Sequence, residues 1–294
     1  MAFATSCLFD KDIKQDAHIA NFRYGLLKVV DSLSNGGERI KAYQTIMEQI
    51  ENDKDLITAR KKNNLIIECY FYMGAEYYEQ KKYSKSIDQY LKAIEIDSTK
   101  ASTYYYRGLV YDAQGELDKA VNDYSKAISL NSDIADAYYN RGIIYENRGQ
   151  YEQALSDYTK AIKIKPHYVS DIYTNRGNIY QQQNSTDKAL DDYNQAVKLD
   201  STNAIAYCNR GNIEVGRNNF EQAIADYSKA LSIDSLNPDM YNKRAFTYEL
   251  NKDYENAMLD YERVIELDAR NRKHQREKAL EGIKRTKAQL HRHH

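Results

Sequence analysis

The 294-residue sequence contains no tryptophan, only two prolines and three cysteines, and no long apolar run. No stretch approaches the roughly 18 apolar residues that a membrane-spanning helix needs, which argues against an integral membrane protein. Twelve glycines and two prolines are too few for a disordered chain, or for an all-β fold with many tight turns. The formal net charge of −1 gives no general positive field that would attract nucleic acid.

Cysteine usage and the start of the chain favour a cytoplasmic protein. Cys7, Cys69 and Cys208 form no CxxC pair and are too few for a disulfide framework, so we expect free thiols in a reducing compartment. The opening segment MAFATSCLFDKD has no Lys or Arg before its short apolar stretch and is therefore unlike a secretory signal. A cytoplasmic location is the expectation.

Tyrosine is in excess, with 28 residues, and most of them belong to a repeated pattern. Segments such as YYNRGIIYE and YTNRGNIYQ recur every 34 or 35 residues, each around a small residue. These small residues are Gly74, Gly108, Gly142, Gly177, Gly211 and Ala245. Six repeats follow, at 67–100, 101–134, 135–169, 170–203, 204–237 and 238–271. Below, a place is a position counted from the first residue of a repeat.

Each repeat is predicted to form two helices. In the third repeat, YNRGIIYENRG and YEQALSDYTKAIKI each carry apolar residues at spacings of three and four, and Pro166 ends the second helix. Small residues such as Gly142 and Ala154 would let the two helix backbones approach, while tyrosines fill the spaces between hairpins. One hairpin cannot bury its apolar faces alone, so neighbouring hairpins must stack. The predicted fold class is all-α, an α-solenoid.

This pattern resembles the tetratricopeptide repeat in its period and in its order of large aromatic, Gly, Tyr, Ala, aromatic, Ala and late Pro. The resemblance implies a right-handed superhelix of helical hairpins whose first helices line a concave groove. It also implies a non-catalytic scaffold or adaptor that needs no cofactor. No metal-ligand spacing, phosphate loop or nucleophile motif in the sequence points to an enzyme.

Arginine at place 7 and aspartate at place 23 occur together in the last five repeats. The first repeat has neither, because Met73 and Gln89 stand at these places. Arginine–carboxylate pairs can be bidentate and can fix geometry. The pattern therefore predicts an ion pair that joins the two helices of one hairpin, or two adjacent hairpins.

The resemblance implies that places 2, 5, 6, 9, 12 and 13 of the first helices line the groove. On this basis the first half of the groove is aromatic with acidic neighbours, and the second half is dominated by amides. The predicted peptide-binding residues are Phe71, Tyr72, Tyr78, Tyr105, Tyr106, Tyr139, Asn140, Asn175, Asn178, Asn209, Asn212 and Asn242. Tyrosine rings would give rigid contact area, and asparagines could hold an extended peptide by its backbone.

The charges of the predicted groove limit its partners. Place 2 carries four acidic residues in six repeats, and place 5 has no Lys or Arg. A clamp for the C-terminal carboxylate of a chaperone is therefore excluded, and a neutral to basic segment of a protein partner is favoured.

The flanking segments do not follow the repeat. Residues 1–66 are predicted to be a helical cap, with helices near 18–33 and 38–51, although a partner-binding role stays open. Residues 272–294 carry eight Lys or Arg against two Glu, which predicts a basic capping helix and tail. Two alternative functions remain open: self-association of the solenoid, and contact of the tail with RNA or an anionic membrane. The sequence does not determine the oligomeric state.

Overall fold

The computed structural model describes residues 19–29, 32–53, 58–267 and 273–291. All regular secondary structure in these ranges is α-helical. The chain divides into two compact units, Met1–Ile144 and Tyr145–His294, which are described separately below. The all-α prediction and the tandem hairpins are therefore confirmed.

Residues 19–29 form α1. The remaining helices are α2 (Gly36–Asn52), α3 (Ala59–Glu79), α4 (Tyr83–Ile96), α5 (Ala101–Ala113), α6 (Leu117–Leu130), α7 (Ala135–Asn147), α8 (Tyr151–Ile164), α9 (Val169–Gln182), α10 (Thr186–Leu199), α11 (Ala204–Gly216), α12 (Phe220–Ile233), α13 (Pro238–Leu250), α14 (Tyr254–Leu267) and α15 (Lys273–Leu290). Each repeat supplies two consecutive helices, from α3 and α4 to α13 and α14. We expected the extra residue of the third repeat, near Val169, to lie in a turn. It instead lengthens α9, which has 14 residues where α7 and α11 have 13.

The turn inside each hairpin has the same backbone conformation at place 15. This residue is in the left-handed region in all six repeats, with φ between 57° and 77°. Glycine occupies the place only in the second and third repeats, as Gly115 and Gly149. Lysine or asparagine occupies it in the other four, where a side chain is held in a conformation that favours glycine.

The place-8 glycine makes room for a tyrosine ring of the same hairpin. A Cβ atom added to Gly177 would lie 2.8 Å from Cε1 of Tyr193, and one added to Gly74 or Gly108 would be equally close to the ring at place 24. The place-24 tyrosines are buried in all six hairpins. Glycine therefore admits a ring between the two helices, which corrects the prediction that it serves close approach of the helix backbones.

The predicted ion pair joins the two helices of one hairpin. In four hairpins, arginine Nε and Nη2 donate to the two carboxylate oxygens of an aspartate sixteen residues later, at 2.6 to 2.8 Å. These pairs are Arg107–Asp123, Arg176–Asp192, Arg210–Asp226 and Arg244–Asp260.

Arginines at place 7 also reach the preceding hairpin, but through hydrogen bonds to neutral side chains, so the ion pairs described above follow the first of the two predicted alternatives. Nη1 of Arg141, Arg176, Arg210 and Arg244 donates to the place-25 side chain of the previous repeat, at 2.7 to 2.9 Å. These acceptors are Ser125, Thr159, Asn194 and Ser228. One guanidinium thus fixes the geometry within a hairpin and between neighbouring hairpins.

In the first unit, α1 and α2 pack on α3. Leu26, Tyr43 and Ile50 form one apolar cluster with Leu65 and Met73 of α3. Helix α2 begins at Gly36 and not at Glu38 as predicted, because Asn35 caps it by accepting a hydrogen bond from the Gly37 amide.

In the second unit, α15 packs on the last hairpin. Ala279 is fully buried and Ile283 packs beside Val264, whereas Leu280 is 43% exposed. A Cβ atom on Gly282 would collide with the ring of Tyr261. The capping role of the two flanks stays a prediction, supported by these contacts.

Candidate functional site

The first unit presents a group of aromatic side chains on the first helices of its hairpins. We call Phe71, Tyr78, Tyr105 and Tyr106 the tyrosine face. The ring of Phe71 meets Tyr106 edge to face with centroids 4.6 Å apart, and Tyr106 meets Tyr105 in the same way at 5.1 Å. Such edge contacts hold the rings rigidly in place. Tyr106 is still 38% exposed, so this ring is available to a ligand.

The tyrosine face lies over buried tyrosines of the hairpin cores. Tyr105 lies beside Tyr124 with ring centroids 5.9 Å apart, and Tyr106 stacks on Tyr90 at 6.5 Å. Burial is the main cause that raises the pKa of Tyr105 above its ordinary value, and Asp136 adds to the effect. The Tyr105 hydroxyl therefore stays protonated at neutral pH and accepts a hydrogen bond of 3.4 Å from the Asn140 amide.

Two other residues of the predicted aromatic half have different surroundings. Tyr72 stacks on Tyr43 of α2, with ring centroids 5.4 Å apart, so it serves mainly to join α2 and α3. Tyr139 on α7 is half-buried. The sequence could not predict the position of Tyr72, because α2 lies outside the repeated pattern.

Next to the tyrosine face is a cavity of about 280 Å³ that the sequence did not predict. Its lining includes Phe71, Glu68, Ser102 and Lys100, together with Arg23 from α1. Arg23 Nη2 donates to Glu68 Oε1 at 2.7 Å, and this hydrogen bond is the main cause that raises the pKa of Arg23. The pair neutralises one of the acidic residues predicted for the groove.

The asparagines of the second unit are hydrogen-bonded to other side chains of the chain. Asn209 Nδ2 donates to Asn178 Oδ1 at 2.8 Å, and the same oxygen accepts from the Tyr193 hydroxyl. Asn212 Oδ1 accepts from the Tyr227 hydroxyl at 2.8 Å. These contacts occupy part of the hydrogen-bonding capacity that was expected for a peptide backbone. Asn175 on α9 is half-buried.

Asn242 is the residue of the predicted amide row that differs most from expectation. It is only 8% exposed, and its Nδ2 donates to Gln275 Oε1 of α15 at 2.8 Å. Two apolar residues of the same helix are exposed instead, Phe246 at place 9 and Leu250 at place 13. Place 9 is one of the six places that the resemblance implies line the groove, so the exposure of Phe246 could have been predicted from the sequence.

Cys208 is the one predicted groove residue with nucleophilic potential. It is 5% exposed, and Lys243 Nζ lies 3.5 Å from its Sγ and 2.8 Å from Asp239 Oδ2. Burial is the largest effect on the thiol and raises its pKa, so the reactive thiolate is disfavoured. In the described ranges, no group of three or more His, Cys, Asp or Glu side chains could hold a metal ion. Within the same ranges, no helix is long and apolar enough to cross a membrane.

The tandem hairpins and their shared side-chain pattern define an α-solenoid repeat protein. Family models described as "TPR repeat" match residues 74–115, 111–149, 177–216 and 211–252, and models described as "Tetratricopeptide repeat" match 135–168 and 238–271. The chain belongs to the tetratricopeptide repeat family. A search of curated proteins finds no match.

Solved structures share the fold at low sequence identity. The C-terminal part of a TPR repeat-containing protein from Cytophaga hutchinsonii is 19% identical with a TM-score of 0.67, covering 89% of this chain and 99% of that chain. The pilF protein of Pseudomonas aeruginosa is 16% identical with a TM-score of 0.63, covering 77% and 99%. YrrB, described as a TPR protein with an unusual peptide-binding site, is 22% identical with a TM-score of 0.57, covering 66% and 97%.

Proposed function

We propose that this protein is a non-catalytic interaction scaffold that binds an extended segment of a partner protein on the tyrosine face. The observation that carries the proposal is the chain of edge contacts from Phe71 through Tyr106 to Tyr105, whose middle ring, Tyr106, is exposed. Rigid tyrosine rings give large contact area at low entropic cost, and such residues are frequent binding hot spots. The description of YrrB as a peptide-binding TPR protein is consistent with this function.

The charges near the tyrosine face favour a neutral to basic segment. Asp112 and Asp136 lie near its tyrosines, and each raises the pKa of a neighbouring hydroxyl. An acidic C-terminal carboxylate would be repelled here. Cys69 and Cys208 are free thiols, which fits the cytoplasmic location that we propose for this interaction.

The test begins with a displayed library of random twelve-residue peptides and the full chain as bait. The affinity of the best selected peptide is then measured by calorimetry for the wild type and for the double variant Tyr106→Ala with Tyr78→Ala, which removes two rings of the tyrosine face. We expect at least a tenfold loss in the double variant, which is about 1.4 kcal/mol. Tyr24→Ala removes a tyrosine that is 67% exposed on α1, outside the tyrosine face, and should have little effect.

Two results would overturn this function. If the library yields no peptide that binds the wild type, the chain does not bind extended peptides. If the double variant binds the selected peptide as tightly as the wild type does, the binding surface is elsewhere. Light scattering across a range of concentrations would show in either case whether the chain associates with itself.

A further inference from the structure

The cavity beside the tyrosine face is formed by three helices of the first unit. Arg23 comes from α1, Ile67 and Phe71 come from α3, and Ser102 and Thr103 come from the first turn of α5. Because α1 lies outside the repeats, this cavity is not a product of the repeat pattern. It is a feature of this chain's own flank where it meets the first two hairpins.

The cavity combines an apolar interior with an open polar rim. Ile67 and Thr103 are 7% and 1% exposed and therefore lie at its bottom, while the ring of Phe71 is half-buried. Arg23 and Ser102 are exposed at the rim, so a ligand can enter from solvent. An apolar interior with a few polar groups is the usual composition of a binding pocket.

The charges at the rim are already balanced within the chain. Arg23 Nη2 and Nε donate to Glu68 Oε1 at 2.7 and 3.2 Å. Lys100 Nζ lies 3.8 Å from Asp97 Oδ2. Each cation thus has a carboxylate partner, and no surplus charge selects an anionic or a cationic ligand group. An uncharged side chain therefore suits this cavity best.

The groups around the cavity favour an aromatic ring over an aliphatic side chain. Arg23 and Lys100 line it, and cations are attracted to ring faces. Phe71 adds a ring against which another ring can stack or make an edge contact. The volume of about 280 Å³ is sufficient, since a cavity of about 150 Å³ holds a benzene molecule. The Ser102 hydroxyl and the Glu68 carboxylate can accept a hydrogen bond from an indole or a phenol.

We propose that this cavity is an anchor pocket for an aromatic side chain, tryptophan or tyrosine, of the segment that the tyrosine face binds. The proposal rests on the peptide-binding function proposed above. Phe71 belongs both to the tyrosine face and to the lining of the cavity, so one bound segment can occupy the two surfaces together. The ligand ring would lie over Ile67 and beside Phe71, with the Arg23 and Lys100 side chains next to it.

The test compares peptide selections with the wild type and with Ser102→Phe, using the same random twelve-residue library. The new ring would fill the cavity from an exposed helical position, so the fold should be unaffected. We expect the wild type to select peptides with Trp or Tyr at one fixed position. Ser102→Phe should lose this preference and bind a selected peptide at least about tenfold more weakly. Ser129→Phe, at an exposed serine of α6, is the matched control and should behave as the wild type does.

Fluorescence gives a direct readout of the pocket, because the chain contains no tryptophan and only the peptide would emit as indole. For a peptide with Trp at the selected position, binding to the wild type should shift the emission to shorter wavelength as the indole leaves water. Saturating Ser102→Phe should give no such shift. An unshifted emission with the wild type would overturn the pocket. Replacing this Trp by Leu should weaken wild-type binding at least about threefold, because the attraction between ring and cations is lost.

The outcomes separate this proposal from the proposed function. Peptides selected without an aromatic residue at a fixed position, or with the same preference by both proteins, would overturn the pocket while leaving peptide binding intact. Leucine that binds as tightly as tryptophan would overturn the aromatic assignment. A library that yields no binder would overturn both proposals. Free indole is titrated separately, and if it binds as tightly as the peptide and is lost in Ser102→Phe, the pocket belongs to a small aromatic molecule and the peptide assignment is wrong.

Discussion

The ring of Tyr193 occupies the space that a side chain on residue 177 would need, because a Cβ atom added to Gly177 would lie 2.8 Å from Cε1 of this ring. The relationship explains why glycine stands at place 8 opposite a buried tyrosine at place 24. It also fixes how closely the two helices of the hairpin can pack around the ring.

Gly177→Ala should therefore destabilise the protein. Overpacking a well-filled core costs about 1 to 3 kcal/mol, and the Tyr193 ring is too buried to move away cheaply. Gly216→Ala is the matched control, because no atom lies within 4 Å of its added Cβ and alanine favours the helix. Urea unfolding of the two variants measures the difference, and equal free energies of unfolding would contradict the packing account.

Asp192→Asn should lower the free energy of unfolding by about 3 kcal/mol. The substitution leaves the Arg176 guanidinium partly buried without its carboxylate, and removing one member of a buried pair is costly. The neighbouring Asp191→Asn removes the same charge at an exposed position and should be nearly neutral. If both variants unfold at the same urea concentration, the ion pair does not stabilise the hairpin.

Removing the hydroxyl group of Tyr193 should lower the stability of the protein, whereas removing that of Tyr124 should not. Tyr193→Phe breaks hydrogen bonds to Asn178 and Gln181 and should cost about 1 kcal/mol. Tyr124→Phe removes a buried hydroxyl that has no partner among the described residues, so stability should be unchanged or higher. Thermal unfolding of the pair checks this, and a larger loss in Tyr124→Phe would show that its hydroxyl is satisfied.

The strained turns offer a stabilising substitution. Lys252 has φ of 61°, a conformation that glycine adopts without a steric penalty, so Lys252→Gly should raise stability by up to about 1 kcal/mol. Lys229→Gly places the same residue type in the interior of α12 and should lower stability by about 1 kcal/mol. The prediction fails if the two substitutions change the melting temperature in the same direction.

The period of the repeats predicted the hairpins, and the joint occurrence of arginine and aspartate predicted their ion pairs. Those predictions succeed because the same residue types recur at the same places in successive repeats. The contacts of Tyr72 and Asn242 could not be predicted in this way, because their partners Tyr43 and Gln275 lie in flanking segments that do not follow the repeat. The surroundings of the buried Tyr124 hydroxyl depend on the direction of a phenol, which spacing alone does not determine.

Hydrogen–deuterium exchange with and without a selected peptide tests most directly whether the tyrosine face binds the partner. We expect the peptide to slow exchange in α3 and α5, which carry the tyrosine face, and to leave exchange in α11 and α13 unchanged. Protection confined to α11 and α13, or to the outer helices α4 and α6, would contradict the account.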